Sequence, residues 1–315
     1  MTAHLSWRDA ALALAVVFVW GTNFVVIRLG LNALPPLFFA TLRFFFVFVP
    51  ACFFLPRPGS VGEGGKKYVA WSNLALYGLC IGLIQFGLLF IAMNGQISPG
   101  LASLVVQMQV FFTIAVAARR SGEKPRLHQL AGLLPAVAGL ALIMAHNGEG
   151  ITIAGVLLVL GGALCWAASN QTTREASRAA AARGTPMNPL AYVVWASLFA
   201  MPGLLIASVL VEGPARDIQA ITSSSWIIWP TLIWQSAANT LFGYTVWASL
   251  LSRYPAGTVA PMSLLVPVFG IGASVLVLHE PLPTWKLTAC LLIMAGLAVN
   301  LLWRPIKALV EGEAS

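Results

Sequence analysis

A set of mid-span amides stands out among the long apolar stretches, where nothing local requires a polar group: Asn23, Gln85, Gln107, Gln109, Asn170, Gln235 and Asn239. A carboxamide both donates and accepts, so a set of them can hold a carboxylate and an ammonium together. Some must serve only to tie helices to one another, a contribution that averages about 0.6 kcal/mol in a membrane. Gln107 and Gln109 are two positions apart and on an α-helix project about 200° from each other, so only one is expected to face a common cavity. Gln107 is favoured, because Ser103 and Gly100 continue its face as a small, polar stripe. Arg43 lies deep within such a stretch, about seven residues from its start. Its guanidinium offers a bidentate partner to a substrate carboxylate. The competing use is structural, with Arg43 bonding backbone carbonyls at the end of the preceding helix or the Asn23 amide.

Trp20 and Trp166 also lie well inside their stretches, and Tyr77, Trp195, Trp234, Tyr244 and Trp247 add further ring faces. An ammonium over such a ring gains about 0.5–2 kcal/mol, with ordinary packing as the competing use of any one ring. Pro261 and Pro267 interrupt the hydrogen-bond ladder of their own helix and leave the carbonyls of Gly257 and Ser263 without their usual donors. Freed carbonyls line cavities or mark bends that gate them; a static kink is the alternative. The candidate substrate-binding set is therefore Trp20, Asn23, Arg43, Tyr77, Gln85, Gln107, Trp166, Asn170, Trp195, Asn239 and Tyr244. Gly257, Pro261, Ser263 and Pro267 form the candidate hinge.

All ten acidic residues, from Asp9 to Glu313, fall in linkers, tails or helix ends, and the four histidines are peripheral too. Proton- or sodium-driven carriers use buried carboxylates or histidines, so uniport or exchange down a solute gradient is the simpler expectation. The chain has no H-E-x-x-H, no G-x-S-x-G, no Walker-type loop and no pair of intramembrane aspartates, which argues against an intramembrane enzyme. Neither a carbonyl-filter motif nor a ring of like charge marks a channel. Cys52, Cys80, Cys165 and Cys290 sit singly in apolar stretches. No disulfide framework, metal site or bound cofactor is expected.

These groups must be positioned by helices in lipid. Residues of the AVILMFWYC set make up 59% of the chain and charged residues 9%, which leaves too little polar surface for a water-soluble domain. Apolar runs of about 20 residues, enough to cross a bilayer, fall at 10–30, 36–55, 69–93, 98–118, 127–145, 151–171, 189–211, 227–250, 256–278 and 285–303. The first is too long and continuous for a cleaved signal peptide, and none alternates in polarity as barrel strands do. The expected fold is all-α, polytopic, with ten transmembrane helices. Trp7, Trp71, Trp226, Trp229, Trp285 and Trp303 lie near helix ends, where an indole favours the headgroup region. With the N-terminus inside, fourteen Lys and Arg residues fall on the cytoplasmic side and only Arg28, Arg216 and Lys286 on the other. Both termini are therefore expected in the cytoplasm of a cell with a bacterial inner membrane. The formal charge of +8 is spread through short linkers; it reads as a topology signal and not as a nucleic-acid surface. The expected partners are the lipid bilayer and a small-molecule solute. Gly78 and Gly82 form a G-x-x-x-G contact, expected inside the bundle, and a monomer suffices.

The chain also repeats itself. With a constant offset of 157, Gly100 falls on Gly257, Phe112 on Phe269, Glu123 on Glu280 and Gly139 on Gly296. Trp20, Asn23 and Arg28 match Trp166, Asn170 and Arg174 more loosely. Five spans per half is an odd number, so the second half enters the membrane from the other side and the repeats are inverted. The halves divide as 1–147 and 148–303, with a cytoplasmic tail at 304–315. Inverted repeats give carriers two alternative packings around one midplane site; duplication kept for folding alone is the alternative.

Trp20-Gly21-Thr22-Asn23-Phe24-Val25-Val26-Ile27-Arg28, then Pro35-Pro36 and Leu42-Arg43-Phe44, resemble the opening of EamA-type members of the drug/metabolite transporter superfamily. Pro99-Gly100-Leu101-Ala102-Ser103-Leu104 and Val259-Ala260-Pro261-Met262-Ser263-Leu264-Leu265-Val266-Pro267, with Glu280 after it, carry the same resemblance. It implies ten helices, export from the cytoplasm and no cofactor; within the family the pattern is most similar to exporters of cysteine and O-acetylserine. Trp166-Ala167 departs from it by lacking the glycine of Trp20-Gly21. Efflux of hydrophobic or cationic drugs is the alternative cargo reading.

Overall fold

The computed structural model describes residues 6–62, 65–121, 125–148, 150–184, 187–223, 226, 228–254 and 256–310. Its first half holds α1 (Trp7–Leu31), α2 (Pro36–Cys52), α3 (Trp71–Met93), α4 (Pro99–Arg120) and α5 (Leu127–Ala145). Its second half holds α6 (Ile153–Ala181), α7 (Pro189–Val211), a short α8 (Pro214–Ser223), α9 over 228–253, α10 over 256–278 and α11 (Thr284–Val310). Among the described residues, eight helices are long and apolar enough to cross a bilayer, and α2 is a shorter apolar helix. The chain is a multi-pass helical membrane protein. The segment expected as a span at 227–250 is helical, but Gln235, Ser236, Asn239 and Thr240 make its middle polar and it is not one of the eight.

Two elements were not legible in the sequence. The linker after α2 folds as an antiparallel hairpin, β1 (Gly59–Gly62) against β2 (Gly65–Tyr68), which corrects the all-α expectation at that place. A glycine-rich linker outside the apolar runs has no hydrophobic period to announce a strand. The helix α8 fills the linker after α7, with Asp217 in its first turn. Glu123, paired by sequence with Glu280, lies outside the described residues, as do 311–315 of the expected tail.

Helix ends follow local chemistry. Ser6 caps α1 by accepting from the Asp9 amide, Asn188 caps α7, and Pro36, Pro99 and Pro189 stand at first-turn positions where no amide donor is needed. The start of α2 has no cap of its own. The Glu212 carboxylate, from the end of α7, supplies one by accepting from the Leu37 amide at 2.7 Å and the Phe38 amide at 3.0 Å. Outward-facing Leu134 (74% exposed) and Leu210 (78%) show the surface that lipid must cover.

The two halves interlock: α2 packs on α7, α1 on α9 and α10, α4 on α6 and α10, and α5 on α11. Small residues permit these contacts. A Cβ at Gly78 would lie 2.2 Å from the Ala196 carbonyl oxygen, and one at Gly82 would lie 2.1 Å from the Ala200 Cβ. The G-x-x-x-G seam therefore joins α3 to α7 within the bundle. Gly21 meets the Val266 carbonyl oxygen in the same way, at 2.6 Å, which is why α10 can approach α1 so closely.

Irregular turns occur in matched places. In α3 the stretch Gly78–Phe86 is wound as a π-helix, and in α9 so is Trp234–Phe242; each has nine residues, lies at an offset of 156 from the other, and ends in a Phe that a Gly follows. In α4 Val106–Met108 tightens to a 3-10 turn, as does Ala260–Leu264 in α10. Departures from α-geometry recur at functional sites, and residues of all four stretches line one cavity.

Candidate functional site

A cavity of about 80 Å³ lies between the halves, lined by Trp20, Asn23 and Phe24 of α1, Gln85, Phe86 and Leu89 of α3, and Val106, Gln107 and Gln109 of α4. From the second half come Trp166 of α6, Asn239 and Tyr244 of α9, and Ser263 and Val266 of α10. By the measure that one water needs about 10–15 Å³, this is room for a handful of waters or a small solute. Asn23, Gln85, Gln107 and Asn239 are 1–7% exposed, so their amides have little company but the cavity and each other. Two of their oxygens, Asn23 Oδ1 and Gln85 Oε1, have no hydrogen-bond partner. Buried amides left unsatisfied cost about 1–3 kcal/mol each, a cost that a polar ligand removes.

The aromatic wall is braced. The Trp20 indole donates to the Asn239 carbonyl at 3.2 Å and packs against the rings of Tyr244 and Trp247, with centroids 5.7 and 5.2 Å away. This bond joins the first half to the second at the cavity itself.

Ser263 and Gln107 are linked as the proline pattern implies. Pro267 cannot donate to the Ser263 carbonyl, and Gln107 Nε2 donates to it instead, at 3.3 Å. Pro261 stands inside the 3-10 turn of α10, Pro267 in the α-helical stretch that follows, and Gly257 in the short opening turn Ala256–Val259. The expectation that Gln107 and Gln109 cannot share a cavity is corrected: both line it. The 3-10 turn at Val106–Met108 has about three residues per turn, so positions two apart diverge by about 120° instead of about 160°.

Four candidates lie elsewhere: Asn170, Trp195, Tyr77 and Arg43. Asn170 donates to Gln109 Oε1 and to Thr113 Oγ1, both at 3.4 Å, and of these two partners Gln109 lines the cavity. Trp195 donates its indole proton to the Leu55 carbonyl at 2.9 Å and stacks near Phe48 and Trp71, away from the cavity. Tyr77 lines a separate, smaller space of about 10 Å³ with Arg43, Phe44, Phe86, Thr240 and Tyr244. There Arg43, 0% exposed, donates to Gln235 Oε1 and to Thr240 Oγ1, each at 3.0 Å. Both partners belong to α9, and neither is a backbone carbonyl of α1 or the Asn23 amide.

Sequence reasoning missed Phe86, which lines both spaces, and the roles of two carboxylates. Its available signal was the repeated Phe86-Gly87 and Phe242-Gly243. Glu280 accepts from Gly100 N at 3.2 Å, from Ser98 Oγ, and from Lys286 Nζ at 2.9 Å, tying the second half to the start of α4. A Cβ at Gly100 would lie 3.1 Å from this carboxylate, so the glycine keeps the approach open. Near the opposite end of α1, Asp9 pairs with Arg253 at 2.8 Å and accepts from the Tyr254 hydroxyl at 2.7 Å.

A bundle of membrane helices enclosing a small cavity of amides and rings between two interlocked halves defines a solute carrier by class. The chain belongs to the EamA-like transporter family, whose pattern matches residues 8–145 and again 153–302. It is 37% identical over 314 residues, 98% of this chain and 100% of the other, to a protein of Escherichia coli named a probable amino-acid metabolite efflux pump. A protein of Salmonella typhimurium with the same name is 39% identical over 298 residues, covering 94% and 95% of the two chains. A solved crystal structure superposes with a TM-score of 0.61 at 18% identity, over 94% of this chain and 96% of that one, which shows a shared fold.

Proposed function

We propose that this protein is an inner-membrane secondary transporter that exports small amino-acid-type metabolites, such as cysteine, O-acetylserine or related neutral amino acids. It works by alternating access between two inverted five-helix repeats, ten spans in all, with both termini cytoplasmic. The observation that carries the reading is the cavity between the halves, with buried amides on a wall of rings and no carboxylate among its lining residues. Amides and rings suit a zwitterion, whereas a drug cation is better met by a buried carboxylate. The names of the E. coli and Salmonella relatives support the same cargo class. The paired π and 3-10 turns support the repeat, and the Lys and Arg asymmetry supports the orientation. In this scheme the Glu280 tie closes the outer end and the Asp9 tie the inner one, and each opens in turn. Cells overproducing the protein are expected to tolerate excess cysteine or O-acetylserine. Resistance confined to cationic biocides would overturn the cargo assignment.

A further inference from the structure

Arg43 is a cation without a counter-charge. It is wholly buried, and among the described residues no carboxylate forms an ion pair with it. Its neighbours are neutral: Gln235 and Thr240 take one terminal nitrogen each, and the ring of Phe86 lies 3.7 Å from its Cζ. Its Nε has no acceptor at all. A buried guanidinium costs several kcal/mol unless a charge answers it, and one edge of its planar fork, Nε with the adjacent terminal nitrogen, is shaped for a bidentate carboxylate.

The space beside Arg43 is about 10 Å³, room for one water at most and not for a carboxylate. It adjoins the main cavity of about 80 Å³, and Phe86 and Tyr244 are walls of both. Phe86 ends the π-helical stretch of α3 and is followed by Gly87, where even a Cβ would meet nothing closer than 3.5 Å. The two acceptors on Arg43 belong to the matching π-helical stretch of α9.

We infer that Arg43 is the receptor for the cargo's carboxylate, in a closed compartment behind the main cavity, and that the Phe86 ring is the partition the carboxylate displaces to reach it. This deepens the amino-acid reading above and rests on it. The amine of the cargo stays among the amides and rings of the larger cavity while its carboxylate passes Phe86 and takes the guanidinium edge on which Nε is unpaired. The cargo must therefore carry a free carboxylate. Esters and decarboxylated amines of the same size lack the group that answers Arg43.

The test uses the purified full chain in liposomes, with labelled cysteine, cysteine methyl ester, cysteamine and a panel of neutral amino acids with their methyl esters. Wild type is expected to move the acids about 10-fold or more faster than the esters, the discrimination that a charge-assisted bond provides. Arg43→Gln should lose that ratio by slowing the acids alone, and Phe86→Leu should lower KM for the acids while leaving that for the esters unchanged. Equal rates for acid and ester in wild type, or an unchanged ratio in folded Arg43→Gln, would overturn the assignment. If Arg43→Gln does not fold, the wild-type ratio and the KM of Phe86→Leu decide. Transport of esters without acids would remove only this inference; failure to move any amino acid or ester would remove the amino-acid reading and this inference with it.

Discussion

Removing the Glu280 carboxylate should destabilise the protein by more than removing Glu280 and Lys286 together. The Glu280 and Lys286 side chains are 10% and 7% exposed, so their pair is largely withdrawn from water. In Glu280→Ala the Lys286 ammonium keeps the Pro281 carbonyl, at 2.9 Å, and the Trp285 ring, at 5.8 Å, but no counter-charge among the described residues. Stranding one partner of a buried pair costs about 3–5 kcal/mol. Adding Lys286→Met removes the stranded charge, and the residual loss is that of the cap on the α4 N-terminus at Ser98 and Gly100, about 0.5–2 kcal/mol. The double variant should therefore recover about 2–3 kcal/mol relative to the single one. Equilibrium unfolding of the full chain in mixed micelles, followed by tryptophan fluorescence, measures the ordering. A single variant within about 0.5 kcal/mol of wild type, or a double variant worse than the single, would refute the reasoning.

Gly82→Ala, whose methyl would meet Ala200, should cost about 1–3 kcal/mol by overpacking, whereas Gly87→Ala, with nothing nearer than 3.5 Å, should be neutral in the same unfolding assay. Gln107→Leu should lose about 1 kcal/mol with its bond to the Ser263 carbonyl, and Pro267→Ala, which restores the helix's own donor to that carbonyl, should return most of it. Tyr254→Phe removes one of the two second-half ties to Asp9 and should raise the reactivity of a thiol placed at position 6 towards a membrane-impermeant reagent; unchanged reactivity would place the closure elsewhere. Transport in proteoliposomes should run on a cysteine gradient alone; a requirement for an imposed pH gradient would show that a helix-end carboxylate such as Glu212 or Asp217 couples protons.

What the sequence made legible was set by strong periodic signals. Apolar runs located the long helices, and the isolated polar residues within them found most of the cavity, because an amide in lipid has nowhere to face but inward. Asn23, Gln85, Gln107, Asn239 and the two tryptophans Trp20 and Trp166 all line it. The freed Ser263 carbonyl was legible too, since proline chemistry alone exposes it. The misses share a physical cause. Gln109 was set aside by assuming ideal α-geometry through a stretch that tightens to a 3-10 turn. Trp195 has the same chemistry as Trp20, and only tertiary packing sends its indole to Leu55 and not to the cavity. Phe86 looked like any core aromatic, and its place between two spaces depends on π-helical winding that no apolar period reports. Glu280 and Glu212 were legible as helix-end acids, but which helix starts they cap depends on contacts about 175–180 residues away, beyond any local pattern.

The most direct test of export by two alternating halves is uptake of labelled O-acetylserine and cysteine into inverted membrane vesicles that contain the protein, with Asn23→Ala and Gln107→Ala measured beside wild type. Accumulation by wild type that is lost in both variants, while their folding is preserved, is the predicted result. Vesicles that exclude every amino acid yet take up cationic dyes would contradict it.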